Sequence, residues 1–308
     1  MSLAEARGVY AIAPTPFLPD GALDLDSLDR LTDFYAECGA DGLTILGIMG
    51  EAQKLEFSES LAVAKRILAR TELPVIVGVS APGFAAMRAL SAEVMAAGAA
   101  GVMIAPPPNL RTDDQITGYF SQAAAAIGAD TPFCLQDYPL TLGVVMTPAV
   151  IRRIFEQNAN CVMLKHEDWP GLEKISSLRT WQKAGELRRF SILTGNGALF
   201  LDFELARGAD GAMTGYAFPD MLAEVVRRAA AGEREAAQDL FDAHLPLIRY
   251  EQQQGVGLAV RKYVLQRRGA IAHDTQRAPA GALSAAARGE VEFLLRRVAR
   301  FDARAALA

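Results

Sequence analysis

Apolar residues in this chain gather in short unbroken runs instead of alternating with polar ones, and stretches of helical periodicity separate the runs. Eight runs fall at about 9–14, 42–47, 74–79, 100–105, 132–136, 161–165, 190–194 and 210–214. A strand apolar on both sides is a strand covered on both faces, as in a parallel sheet wrapped by helices. One phrase recurs three times between a helical stretch and the next run: Gly39-Ala40-Asp41-Gly42, Gly98-Ala99-Ala100-Gly101 and Gly208-Ala209-Asp210-Gly211. Its first glycine is expected to stop the helix at positive φ, and its second to let strand and helix backbones approach closely. The copies begin 59 and then 110 residues apart, which fits two and four units of roughly 28 residues, the length of a strand, a helix and two short loops.

Eight such units predict an α/β chain folded as a closed (β/α)8 barrel over residues 1–232. An open doubly wound sheet is the alternative, but no G-x-G-x-x-G follows the first run, where that fold carries one. Beyond residue 232 the strand signal stops, and 234–253, 256–268 and 283–301 read as helices, with Gly255 and Gly257 parting the first two. Residues 233–308 are therefore expected to form a helical appendage packed on the barrel or on a neighbouring subunit.

With 308 residues, 51% of them hydrophobic, the chain has ample material for a large core. Its net charge of −5 is spread along the sequence without blocks, which argues against a nucleic-acid or anionic-membrane surface and in favour of small metabolites as partners. Cys38, Cys134 and Cys161 are odd in number, far apart and set among apolar neighbours, so they read as buried thiols of a reducing compartment. The start, Met1-Ser2-Leu3-Ala4-Glu5, lacks a basic n-region, and no apolar run approaches membrane-spanning length, so a cytoplasmic location is expected. His244 and His273 show no metal-ligand spacing, and no metal is expected.

In such a barrel the chemistry gathers at the C-terminal ends of the strands. Those ends read Ala13-Pro14-Thr15-Pro16-Phe17, Gly47-Ile48-Met49-Gly50-Glu51, Gln136-Asp137-Tyr138-Pro139, Lys165-His166-Glu167-Asp168, Thr194-Gly195-Asn196-Gly197 and Met213-Thr214-Gly215-Tyr216, and Lys165 is the only lysine among them. Removing an ammonium from water disfavours its charged form, and the neutral amine can attack a carbonyl to form a Schiff base. A strand-end lysine can equally snorkel into solvent. The Gly47 to Gly50 loop enters a helix, where backbone N–H groups can receive a carboxylate, or it can be a plain tight turn. His166, next to Lys165, should face away from it. Arg111 follows three prolines and is either a receptor for a distal anion or a solvated loop residue, whereas Trp169 and Trp181 read as packing residues.

In this order, Pro14-Thr15-Pro16-Phe17, the Gly47-x-x-Gly50-Glu51 loop, Lys165 on strand six, the Gly195-Asn196 turn and the C-terminal helices resemble the dihydrodipicolinate synthase and N-acetylneuraminate lyase family of class I aldolases and hydro-lyases. The resemblance spans essentially the whole chain. It implies an imine between Lys165 and the carbonyl of pyruvate or another 2-oxo acid, with no external cofactor. It also implies that backbone groups of Ile48 and Met49 hold the carboxylate, that substrate packs against Met213, and that the protein is a homotetramer.

The departures from the family pattern are specific. Two threonines of the family loop are here Ile48 and Met49, the family's strand-five tyrosine aligns with Gln136, and a second tyrosine falls within Pro106-Pro107-Pro108. Tyr138 lies two residues beyond Gln136 and, by strand alternation, points the same way. Where the synthases carry an arginine that reads a second carboxylate, this chain has Leu140-Thr141-Leu142. A different substrate and a different acid/base group are therefore expected. Glu167 is the candidate, since burial beside an apolar rim disfavours a charged carboxyl, although it can also serve as a helix-entry carboxylate before Pro170. Asp137 and Tyr138 are further candidates. Gln136-Asp137, Gly211 to Gly215 and Leu245-Pro246-Leu247-Ile248 resemble the sugar-acid dehydratase branch, which acts on 2-keto-3-deoxy aldonates. The competing expectations are a true synthase, disfavoured by the missing relay, a silent 2-oxo-acid-binding homologue, and a phosphate-binding barrel, disfavoured by its sparse glycines.

Overall fold

The computed structural model describes residues 2–307. Eight strands, β1 Gly8–Ile12, β2 Gly42–Ile45, β3 Val75–Gly78, β4 Gly101–Ile104, β5 Phe133–Asp137, β6 Cys161–His166, β7 Ser191–Thr194 and β8 Gly211–Thr214, pair in parallel in chain order. β8 pairs with β1 and closes the barrel, so the (β/α)8 fold expected from the runs is the fold observed. The surrounding helices are α1 Leu25–Glu37, α2 Phe57–Arg70, α3 Phe84–Ala96, α4 Asp113–Ile127, α5 Pro139–Leu142, α6 Pro148–Gln157, α7 Leu172–Lys183, α8 Leu201–Ala206 and α9 Pro219–Ala230. They are followed by α10 Arg234–Glu251, α11 Gly257–Arg267 and α12 Ala285–Val298.

The strands are apolar along most of their length because both faces are buried, each in its own core. One cluster fills the barrel interior with Tyr10, Ile12, Ile76, Met103, Cys134, Met163, Leu193 and Met213. The other lies between strands and helices, and Leu164, Leu135 and Ile192 belong to it. Alternation along β6 therefore sends Met163 inward and Leu164 outward, and continues with Lys165 inward and His166 outward.

The repeated glycine phrase does what its first glycine predicts: Gly39, Gly98 and Gly208 take φ of 77°, 101° and 96°. Its second glycine acts differently from the expectation. A Cβ on Gly42 would strike the Tyr10 ring, one on Gly101 the Pro132 carbonyl, and one on Gly211 the Gly8 carbonyl. The close approach is to the neighbouring strand and to side chains of the barrel interior, Leu3 and Tyr10, not to a helix backbone.

The C-terminal helices share the outer core through Leu247, Ile248, Val260 and Val264. Two buried polar ties fix them. Lys262 Nζ on α11 donates to Glu51 Oε1 at 2.5 Å and to the Thr15 carbonyl at 2.8 Å, so the glutamate of the Gly47–Glu51 loop anchors α11. On α10, His244 lies between the Tyr216 hydroxyl at 2.7 Å and Asp302 Oδ2 at 2.8 Å. Burial holds His244 below its ordinary pKa against the pull of Asp302, so the neutral ring donates Nε2–H to Asp302 and accepts from Tyr216. Burial works to raise the Asp302 carboxyl, yet hydrogen bonds from His244 and Arg304 outweigh it and hold the group well below the usual range. The cysteines are free, with Cys134 and Cys161 buried and Cys38 half-buried. Burial pushes the Cys134 thiol up to about 12.

Candidate active site

A cavity of about 480 Å³ opens at the C-terminal ends of the strands. Its chemistry follows from strand alternation carried past the ends of β5 and β6. Lys165 and Glu167 point inward from β6, and Lys165 Nζ stands 2.8 Å from Glu167 Oε2. Both residues are buried, at 4% and 6% exposure, and both line the cavity, so the lysine does not snorkel outward.

Gln136 is the register partner of Lys165 on β5, and its Nε2 donates to Glu167 Oε2 at 2.8 Å. An amide has no titratable proton, so Gln136 aims the carboxylate and cannot relay a proton itself. Glycine is required at Gly195, where a Cβ would lie 2.4 Å from Glu167 Oε1; the bare backbone of the β7 end makes room for the Glu167 side chain. Tyr138 lies beyond Gln136 and also lines the cavity. Burial, with the Glu167 charge adding to it, raises its phenol above the ordinary value against a hydrogen bond with Thr141, so the hydroxyl stays protonated as a donor.

Gly47, Ile48 and Met49 line the opposite wall. Leu46 and Glu51, at φ of 55° and 54°, bracket this loop in left-handed conformations that non-glycine residues rarely adopt. The N–H groups of Ile48 and Met49 donate to no acceptor among the described residues, which leaves two donors for an anion. Gly50 is not in the wall; its carbonyl accepts from Thr15 Oγ1 at 2.6 Å, which fixes the loop.

Met213 also lies outside the cavity wall. It points into the barrel interior, where it is fully buried with Tyr10, Met163 and Leu193. Thr214 and Gly215, one step up β8, reach the mouth instead. Asp137, of opposite parity to Gln136, faces the helices and pairs with Lys174 at 2.7 Å. His166 is buried on that same outer side. Arg111 is exposed and turned onto the Pro108 and Leu110 carbonyls.

Several cavity residues lay outside the expectation. Glu251 closes α10, Gln252 to Gly255 form the turn after it, and Arg261 lies on α11; all of them face the mouth. Arg261 Nε donates to Glu251 Oε1 at 2.9 Å. Complete burial pushes the Glu251 carboxyl up to about 7 although Arg261 opposes the shift. The available signal was the run Gln252-Gln253-Gln254-Gly255 at the end of an otherwise amphipathic helix.

No group of three or more His, Cys, Asp or Glu side chains that could hold a metal ion occurs among the described residues. No described helix is long and apolar enough to cross a membrane.

The dihydrodipicolinate synthetase family model matches residues 5–298. An L-2-keto-3-deoxyarabonate dehydratase of Azospirillum brasilense is 30% identical, with 96% of each chain covered. A 4-hydroxy-tetrahydrodipicolinate synthase of Chlorobium luteolum is 28% identical over 95% of this chain and 97% of its own. Among solved structures, a dihydrodipicolinate synthase from Rhodopseudomonas palustris superposes with a TM-score of 0.95 at 65% identity, covering 96% of this chain and 99% of that one. The chain belongs to the dihydrodipicolinate synthetase family and is a lyase that acts on small molecules.

Proposed function

We propose that the enzyme forms an imine between Lys165 and a 2-keto-3-deoxy acid and eliminates water from it, with Glu167 as the acid/base group. The observation that carries this reading is the buried pair of Lys165 Nζ and Glu167 Oε2, 2.8 Å apart in the barrel mouth. A proton passed from the ammonium to the carboxylate leaves the neutral amine that attacks the C2 carbonyl; loss of water then gives the iminium. Glu167 removes a proton from C3 to form the enamine, and returning that proton to the C4 hydroxyl lets it leave as water. Hydrolysis of the conjugated imine frees Lys165. Ile48 and Met49 N–H groups receive the carboxylate, and Tyr138 donates to an oxygen of the substrate. The lysine itself supplies the electron sink, so the reaction calls for no external cofactor.

The test is reductive trapping. With sodium borohydride and pyruvate or a 2-keto-3-deoxy acid, a peptide containing Lys165 should gain the mass of the reduced adduct. An unmodified Lys165 with both acids overturns the reading.

A second reading draws on the synthase relatives, above all the 65% identity to one described as a dihydrodipicolinate synthase. Against it stand Gln136, Ile48 and Met49 where the synthase relay would be, and Leu140 to Leu142 where its arginine would be. Formation of 4-hydroxy-tetrahydrodipicolinate at a rate above that of elimination would decide for it.

The free cysteines support a cytoplasmic location. Exposed Phe293 and Phe301, the latter 75% exposed on the C-terminal segment, support association between subunits, and sedimentation tests the homotetramer that the family resemblance implies.

A further inference from the structure

Four buried polar atoms on one side of the cavity have no hydrogen-bond partner among the described residues: Asn196 Nδ2 and Oδ1, Gln252 Nε2 and Glu251 Oε2. Buried polar atoms are ordinarily paired, and three residues with open valences lining one cavity mark a place where a ligand completes the pairing. We infer that Asn196, Glu251 and Gln252 form a second subsite that binds a neutral, hydroxylated tail of the substrate. This deepens the imine reading and rests on it, since the tail extends from the carbon chain held at Lys165.

The chemistry of the open valences selects the ligand. Two are donors, Asn196 Nδ2 and Gln252 Nε2, and two are acceptors, Asn196 Oδ1 and Glu251 Oε2. A hydroxyl both donates and accepts, so neighbouring hydroxyls can fill such a mixed set, whereas a carboxylate only accepts. A distal carboxylate meets a further obstacle. The cation at this end, Arg261, is already engaged through its Nε by Glu251 Oε1 at 2.9 Å, so a second carboxylate would have to share that guanidinium with Glu251.

The backbone is shaped for this contact. Gly197 takes φ 62°, and a Cβ there would lie 1.6 Å from Gln252 Nε2; the bare turn lets the amide of α10's C-cap lie over it. The subsite is thus split between the end of β7 and the turn joining α10 to α11.

The experiment compares three probes by borohydride trapping at Lys165 across concentration: pyruvate, 2-keto-3-deoxygluconate and the charged-tail diacid 2-oxoadipate. The readout is the ratio of half-saturating concentrations, so a general loss of folded protein or of lysine reactivity cancels. The parent enzyme should favour the hydroxylated acid over the diacid by tenfold or more. Gln252→Ala, at the half-buried C-cap of α10, should cut the preference for 2-keto-3-deoxygluconate over pyruvate by about tenfold. Glu251→Gln should shift preference toward 2-oxoadipate by a similar factor, because it frees Arg261. Ratios unchanged in both variants, or a parent enzyme that traps the diacid as readily as the sugar acid, overturn the subsite while the imine reading stands. A Lys165 unlabelled by every probe overturns the imine reading and the subsite with it.

Discussion

Gln136 and Lys165 are register partners on adjacent strands, and both reach the same oxygen, Glu167 Oε2, at 2.8 Å. One carboxylate oxygen is thus shared between a fixed amide and the Lys165 amine. In Glu167→Gln the residue keeps its shape but can no longer carry a proton. The expected outcome is a borohydride-trapped Lys165 adduct still formed, with kcat for elimination reduced by about 10²–10⁴-fold, the usual worth of a general acid/base. Mass spectrometry and steady-state assays on the same preparation check it. Turnover at the parental rate removes Glu167 from the mechanism.

Gln136 acts through Glu167, so its removal should weaken the proton step less than loss of the carboxylate does. Gln136→Leu is expected to lower kcat about 10-fold, with KM little changed, while Gln136→Glu places a second carboxylate against Glu167 and should displace the acid limb of the pH–rate profile upward. A pH profile identical in Gln136→Glu and parent would show that the two side chains do not communicate.

The barrel was legible because a parallel strand buries both faces, so Cys161 to Leu164 and its seven counterparts appear as unbroken apolar runs. Lys165, Glu167, Gln136 and Tyr138 could be found because alternation continues past the strand ends and keeps residues of one parity in the mouth. The same rule explains why Asp137 and His166 lie on the outer side. Met213 shows where strand-end reading stops short: parity places it inside the barrel, but depth along the axis puts it below the cavity, and depth depends on stagger between strands, which a single run does not reveal. Glu251, Gln252 and Arg261 were illegible for another reason. They reach the site through long-range ties, His244 of α10 to Tyr216 and Asp302 and Lys262 of α11 to Glu51, the last spanning 211 positions in the chain.

Lys174 pairs with Asp137 and Asp168, each at 2.7 Å, and Asp137 is wholly buried. Lys174→Met leaves a carboxylate in the interior with its main counter-ion gone, which costs about 3–5 kcal/mol of stability. Arg70 also pairs with two carboxylates, Asp29 and Asp33, but Arg70 is exposed and both carboxylates are only half-buried at the surface, so Arg70→Met should cost under about 1 kcal/mol. Urea denaturation of both variants at one pH gives the comparison; equal costs would mean that burial does not govern these pairs.

Glu204 on α8 is buried and makes no ion pair among the described residues. Burial pushes its carboxyl up to about 7, with His166 and a hydrogen bond to Thr194 working against the shift. In the unfolded chain the group titrates near its ordinary 4.5. Below that pH the carboxyl is neutral in both states and contributes no difference. Between 4.5 and 7 the unfolded chain ionises while the folded one holds its proton, so folded stability falls as pH rises; above 7 the penalty is constant. Glu204→Gln removes the titration and should match the parent near pH 4.5 while exceeding it at pH 8 by on the order of 3 kcal/mol. Denaturation midpoints of variant and parent at the two pH values test the sign. A stability difference that does not change with pH would mean that burial does not raise the Glu204 carboxyl in the folded enzyme.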